Sequence, residues 1–155
     1  MELADILAER AVLSCTGVLN KRQLFEQLAD KASELIGFSS QDLLDTIEAR
    51  EALGSTGLGN GIAIPHGKLA GLRGVTAVFA RLAQPIDFDA VDAEPVDLVV
   101  MLLAPVGAGA DHLKALSKVA RLLRTDSIVD QLRAEPDPQR LHAILTAPVE
   151  THFAA

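Results

Sequence analysis

The sequence predicts an α/β fold in which helices cover both faces of a sheet. Residues 75–82 form a short apolar run with β-branched and aromatic members, which is typical of a strand. Residues 96–104 are almost continuously apolar, as expected of a strand that is buried on both faces. Segments with helical periodicity stand before and after these two runs. Because layered α/β domains alternate helices with buried strands in this way, we expect that class.

Two helices are predicted before the first of these strands. A capping-box pattern begins at Asn20, and the helix that it opens is expected to end at Gly37. Ser39 starts a second helix that runs to about Ala52. Both segments repeat apolar residues at helical spacing, so each is expected to bury one face. The predicted inward residues of the two helices are Leu24, Phe25, Leu28, Ala32, Leu35, Leu43, Leu44 and Ile47.

Three further helices are predicted after the second strand. A glycine-containing loop at 107–110 leads into a long helix over 111–124, and shorter helical patterns cover 127–133 and 137–145. The residues expected to face inward from the long helix are Leu113, Leu116, Val119, Ala120 and Leu123.

Composition excludes several classes of protein. The chain of 155 residues is 49% hydrophobic, which argues against disorder, and its formal charge of −7 argues against nucleic acid as a partner. Cys15 is the only cysteine, so neither an internal disulfide nor a multi-thiolate metal site is expected. No secretory signal is predicted, and the longest apolar run, 98–106, is too short to span a bilayer as a helix. We therefore expect a cytoplasmic protein that is not inserted in a membrane.

The segment 54–68, GSTGLGNGIAIPHGK, carries the strongest functional signal. Its glycines leave backbone N–H groups open to an anion, and Ser55 and Thr56 add hydroxyl donors. His66 adds a nucleophilic nitrogen, while Pro65 before it stiffens the backbone and Gly67 after it permits close approach. The segment therefore suggests a histidine that takes up and passes on a phosphoryl group. The alternative is a histidine that is only a polar surface residue.

His112 is the second candidate for chemistry. It lies at the start of the helix over 111–124, where free N–H groups favour an anion, and it is expected at the edge of the buried face. It would then bind a phosphoryl group or steady His66. The alternative is a histidine that is packed for its shape and makes one hydrogen bond.

Four further residues are candidates for phosphate binding. Arg50 lies near the end of the helix that leads into the glycine segment, where its guanidinium is placed to neutralise phosphate oxygens. Its alternative is an exposed arginine paired with a nearby acid. Ser55, Thr56 and Asn60 are candidates as well, although their ordinary role is to stabilise turns. The chain contains no dinucleotide fingerprint, P-loop or zinc-ligand spacing, so neither a cofactor nor a metal is expected.

The segment GSTGLGNGIAIPHGK closely resembles the active-site signature of the EIIA domains of the bacterial phosphoenolpyruvate-dependent phosphotransferase system. Within them it is similar to the nitrogen-regulatory branch of the fructose/mannitol class. The stretch DHLKALSKVARLL resembles the second histidine region of that family. The likeness covers residues 5–148 and implies a single domain over 1–155, with a mixed sheet of about five strands.

The resemblance also implies a mechanism. His66 would accept phosphate on Nε2 from an HPr-like carrier of the nitrogen type, which enzyme I charges with phosphoenolpyruvate, while a backbone acceptor holds Nδ1–H. His112, Arg50, Ser55 and Thr56 match positions that line the phosphate site in relatives. An apolar rim around His66 would dock the donor and exclude water, although the same residues are equally suited to the buried core. The rim candidates are Leu58, Ile62, Ile64 and Leu69.

Three functions remain open on the sequence alone. The first is a phosphocarrier that regulates targets according to its phosphorylation state; in relatives the targets include potassium transport and sensor-kinase proteins. The second is a sugar-uptake EIIA that passes phosphate to a fructose/mannitol-type EIIB. The third is a regulatory binding module that is not phosphorylated.

Overall fold

A computed structural model of the chain describes residues 1–147, which form one mixed sheet and the helices that pack on it. The helices are α1 (Leu3–Ile6), α2 (Lys21–Ile36), α3 (Ser40–Glu51), α4 (Gly109–Leu122), α5 (Asp126–Ala134) and α6 (Pro138–Thr146), with a 3-10 turn at Glu9–Ala11. The strands are β1 (Val12–Cys15), β2 (Gly57–Gly59), β3 (Ile62–Ala63), β4 (His66–Leu69), β5 (Thr76–Ile86) and β6 (Val96–Pro105).

The sheet is built around β6. Its strand order is β1-β5-β6-β3-β2, and β4 pairs with β6 beyond the end of β3. β5 runs antiparallel to β6, whereas β3 and β4 both run parallel to it. The six strands therefore occupy about five positions across the sheet, which confirms the predicted mixed α/β fold. Residues 98–104 of β6 are all buried, and successive residues of a strand face opposite sides, so both faces of the sheet are covered.

The predicted helices are present with ends shifted by one or two residues. Asn20 caps α2 by accepting a hydrogen bond from the backbone N–H of Gln23, and Gly37 ends it in the left-handed conformation at φ 77°. Ser39 accepts from the backbone N–H of Asp42 at the start of α3. Capping patterns thus gave the helix limits correctly.

The predicted inward face of α4 was wrong at one residue. Leu113 is 66% exposed, because the buried stripe of this helix passes through His112, Ala115, Val119 and Leu123. Leu113 lies about 100° around the helix from His112, on the solvent side. Leu113 is therefore available at the surface next to His112.

Cys15 is buried at the end of β1 and is a free thiol, as expected of a small core residue. Burial raises the pKa of its thiol, so the sulfur stays protonated and unreactive at neutral pH. The predicted domain limits, 1–155 with a core to 148, extend past the residues that the structure describes.

Candidate active site between two histidines

His66 begins β4, directly after a break in the row of residues that pairs with β6. β3 ends at Ala63, and pairing resumes where His66 lies opposite Leu102. Pro65 has no N–H group, but its carbonyl accepts a hydrogen bond of 2.9 Å from Leu102 N–H. Ile64 lies outside both strands, so its carbonyl is available to a side chain. The break therefore holds the histidine at a fixed place beside the central strand.

The carbonyl of Ile64 determines which nitrogen of His66 is reactive. Nδ1 of His66 lies 2.9 Å from this oxygen, which only accepts hydrogen bonds, so Nδ1 carries the proton. In the neutral ring Nε2 then holds a free electron pair. Since His66 is half-buried, one edge of the ring remains open to a partner. This geometry leaves Nε2 of His66 free to act as a nucleophile.

His112 lies against His66, in the first turn of α4. The two ring centroids are 5.5 Å apart and the rings meet edge to face at 72°. His112 is only 6% exposed, and its Nε2 is buried without a hydrogen-bond partner among the described residues. A buried polar atom left without a partner costs about 1–3 kcal/mol. An arrangement with this cost suggests that Nε2 of His112 meets its partner only when a ligand is present.

Burial lowers the pKa of His112, and the charges of His66 and Lys68 lower it further. Desolvation and nearby positive charge both disfavour the imidazolium form. His112 is therefore neutral at pH 7, with one N–H donor and one acceptor.

This shift gives a first prediction. In an NMR titration, the ring resonances of His112 should titrate below pH 6.5, the ordinary imidazole value. Because the unfolded chain binds this proton more readily, the contribution of His112 to stability falls as the pH drops below 6.5. In His66→Asn the pKa should rise part of the way back, since one of the repelling charges is gone. A pKa at or above 6.5 in the wild-type protein would contradict the assignment.

Arg50, on α3, lies beside the two histidines. A Cβ atom on Gly67 would lie 2.7 Å from Thr46 Cγ2, so the missing side chain lets α3 pack closely on β4. Arg50 follows Thr46 by one helical turn, and its Nη1 donates a hydrogen bond of 2.9 Å to Gly54 O. The helix therefore brings a guanidinium to the two histidines.

An open cavity of about 570 Å³ lies between α3, β4 and α4. No Asp or Glu of residues 1–147 lines it, although the chain carries 21 acidic residues. The charged side chains of the lining belong to Arg50 and Lys68, and the exposed Leu53 and Leu113 form part of the rim. The lining residues are Thr46, Ala49, Arg50, Leu53, His66, Gly67, Lys68, Gly109, His112, Leu113 and Leu116.

Lys68 and the exposed leucines Leu53 and Leu113 were not predicted as site residues. The alternation of side chains along β4 places Lys68 on the same side as His66, and this pattern is a signal that the sequence carries. Leu53 is 84% exposed and follows α3, where sequence patterns gave no direction for its side chain.

Ser55, Thr56 and Asn60 do not line the cavity, since local partners occupy them. Ser55 Oγ donates to Phe88 O and accepts from Gly57 N–H. Thr56 is buried and donates from both its hydroxyl and its backbone to Glu51. The backbone N–H of Asn60 is bound by Asp92, and Asn60 lines a separate cavity. The backbone N–H groups of Thr56, Gly57 and Asn60, which belong to the predicted anion cradle, are therefore bonded within the chain itself.

The four candidates for an apolar rim do not line this cavity. Ile62, Ile64 and Leu69 are each at most 7% exposed and belong to the core, which was the alternative for these residues. Leu58 is 46% exposed but lines the cavity that contains Asn60. A segment that pairs with the central strand must bury its apolar side chains, which leaves the rim to the neighbouring helices.

Residues 1–147 offer neither a metal-binding cluster nor a membrane-spanning helix. No cluster of three or more His, Cys, Asp or Glu side chains lies close enough to hold a metal ion. None of the helices combines the length and hydropathy needed to cross a bilayer.

Known proteins resemble this chain over most of its length. Residues 5–147 match the family model described as "Phosphoenolpyruvate-dependent sugar phosphotransferase system, EIIA 2". The chain is 48% identical to a nitrogen regulatory protein of Bradyrhizobium diazoefficiens over 151 residues, which cover 97% of this chain and 99% of that one. It is 37% identical to the fructose-specific EIIA component of Haloferax volcanii, with 84% and 85% of the two chains covered.

Among solved structures, the fold is similar to the nitrogen regulatory protein IIA-Ntr from Neisseria meningitidis. The TM-score is 0.87 at 38% identity, and the match covers 93% of this chain and 99% of that chain.

Proposed function

Because the chain belongs to the EIIA 2 family of the phosphoenolpyruvate-dependent sugar phosphotransferase system, we propose that it is a histidine phosphocarrier. In this proposal His66 accepts a phosphoryl group from the phosphohistidine of an HPr-like carrier of the nitrogen type. The hydrogen bond between His66 Nδ1–H and Ile64 O carries the proposal, because it leaves Nε2 as the free nucleophile. The phosphorylated and unphosphorylated forms would then bind regulated targets differently.

The transfer needs positioning and charge stabilisation more than further chemistry. The electron pair on Nε2 of His66 forms the new N–P bond, while the donor imidazole leaves with the electron pair of the bond that breaks. The proton stays on Nδ1 throughout and remains hydrogen-bonded to Ile64 O. Such in-line displacement depends on alignment of the two nitrogens and on stabilising the charge of the phosphoryl oxygens.

The basic lining suits the product of this step. A phosphoryl group brings about two negative charges, and Arg50 and Lys68 lie in the same cavity, whose lining in the described part of the chain holds no carboxylate. His112 would supply a further donor to a phosphoryl oxygen, which would give its buried Nε2 the missing partner. The exposed Leu53 and Leu113 would contact the donor and exclude water, which protects phosphohistidine from hydrolysis.

The regulatory role is favoured by the relatives. Nitrogen regulatory proteins match this chain over nearly its full length, and we propose potassium transport or sensor-kinase proteins as the kind of target. The second candidate is sugar uptake, which the likeness to a fructose-specific EIIA component supports. A cytoplasmic location is part of the proposal and suits a chain with one free, buried thiol.

A reconstituted phosphorylation assay tests the proposal. The purified chain is incubated with phosphoenolpyruvate, enzyme I and either a nitrogen-type or a sugar-type HPr-like carrier. We expect an acid-labile, alkali-stable phosphate, formed faster with the nitrogen-type carrier. Rapid onward transfer to an EIIB cysteine would favour sugar uptake, and the absence of any phosphorylated species by phosphorus NMR would favour the non-phosphorylated binding module.

His112 provides a second prediction. His112→Ala should slow phosphorylation of His66, or shorten the lifetime of the phosphorylated form, by about tenfold, because one donor to the phosphoryl oxygens is lost. Labelling time courses and the decay of isolated phosphoprotein measure the two effects. Unchanged kinetics in a folded variant would leave His112 with a packing role alone.

A further inference from the structure

The outer side of α4 carries a second cavity beside the candidate active site. This cavity has a volume of about 420 Å³ and contains Lys114, Lys118 and Arg121 in its lining. Leu113 lines both cavities, so the two form one continuous surface. The surface therefore joins the histidines to a row of cations on one helix.

Positive charge is concentrated on this surface, although the protein as a whole is acidic. The linings of the two cavities contain five of the 14 Lys and Arg residues of the chain, and no Asp or Glu of residues 1–147. Lys118 is partly compensated by Glu2, whose carboxylate lies 3.6 Å from Lys118 Nζ. Lys114 and Arg121 are exposed and make no salt bridge in the part of the chain that the structure describes.

We propose that this basic surface of α4 docks an acidic surface on the phosphoryl donor and so selects the donor. The inference rests on the proposed function. Complementary charge of this kind raises the rate of encounter and suppresses partners of the wrong sign. Leu113, 66% exposed between the cations and the histidines, supplies the apolar contact that a protein partner buries. Nucleic acid and anionic membranes fit less well, because the net charge of −7 repels both.

The same surface accounts for release of the donor. Transfer moves about two negative charges from the donor to His66, at the edge of the surface that attracted the donor. The positive field that favours an acidic partner is then partly neutralised. Docking is therefore strongest before transfer and weaker after it.

Single charge reversals test the inference. Lys114→Glu and Arg121→Glu are compared with Arg140→Glu, which makes the same change of charge on α6, a helix that packs on the edge strand β1 and lines neither cavity. Arg140 has a side chain that is 74% exposed. Lys118 is left unchanged because it also binds Met1 O. Phosphorylation is measured with a phosphorylated HPr-like carrier of the nitrogen type and, separately, with phosphoramidate, a small chemical donor that needs no docking surface.

The expected result has three parts. At low salt each α4 variant should accept phosphate from the carrier about three- to tenfold more slowly than wild type, while Arg140→Glu stays close to wild type. At 1 M salt, where the screening length is about 3 Å, the difference should disappear. Labelling by phosphoramidate should be equal in all four proteins.

Three results would overturn the docking surface. One is equal carrier kinetics for the α4 variants and wild type, and another is an equal loss in Arg140→Glu, which would make net charge the cause. A third is tight binding of the wild type, but not the α4 variants, to anionic vesicles, with carrier kinetics unchanged. In each case His66 would still be labelled, so the phosphocarrier function would stand. Absence of label on wild-type His66 with both donors would remove the proposed function, and the docking inference with it.

Discussion

His66→Ala should lose phosphoryl acceptance altogether, to below about 1% of the wild-type rate, because among residues 1–147 no other side chain of the cavity offers a free imidazole nitrogen positioned by a backbone carbonyl. His112 is not a substitute, since its Nε2 is buried. Labelling with phosphorylated carrier, followed by acid and alkali treatment of the product, measures the effect.

The result needs a control for folding and a control for histidine content. His66 is half-buried and its ring makes one hydrogen bond to the backbone, so His66→Ala should leave the cooperative unfolding transition nearly unchanged. His142→Asn removes a histidine on α6, whose Nε2 bonds Leu7 O, and should label normally. If His66→Ala is folded and still accepts phosphate at the wild-type rate, the phosphocarrier proposal is wrong.

The sequence predicted His66, His112 and Arg50, which line the candidate site, but not Lys68 or the exposed leucines. The helix that carries His112 has a clear periodicity, whereas His66 is marked by the proline and glycine beside it, since β4 itself is short. The predicted anion cradle differs from the structure for another reason. Local composition suggests open amides in this segment, whereas folding brings Glu51 to the Thr56 amide and Asp92 to the Asn60 amide. Such partners are fixed by tertiary packing, which local composition does not contain.

For the fold as well, some elements could be predicted from local sequence patterns and others could not. The long capped helices were predictable because periodicity over ten or more residues is a strong signal, and β5 and β6 were predictable from their apolar runs. β1 and β4 have four residues each, too few for a period to emerge, and β4 begins at His66. An apolar residue on an amphipathic helix is ordinarily predicted to face the core, as Leu113 was. Its exposure is understood only once the structure shows that it lines the cavity with the two histidines.

Glu51 is the residue that connects the glycine segment to the helices. Its side chain is only 6% exposed, and it accepts hydrogen bonds from Thr56 Oγ1 at 2.6 Å and Thr56 N at 3.0 Å. Lys21 from α2 donates to the same carboxylate at 3.0 Å, with its ammonium 4.3 Å from the centre of the Phe88 ring. One carboxylate thus joins α2, α3 and the segment before β2.

Glu51→Ala should lower the free energy of unfolding by about 2–4 kcal/mol, because it leaves the buried Thr56 hydroxyl, its amide and the ammonium of Lys21 without their acceptor. Glu48→Ala is the matched control on α3, since Glu48 pairs with Arg22 at the surface and should cost less than about 1 kcal/mol. Chemical denaturation measures both variants, and hydrogen exchange at the Thr56 amide should accelerate only in Glu51→Ala. Equal losses in the two variants would show that the segment before β2 is held by its backbone, and the carboxylate of Glu51 would then have no organising role near the site.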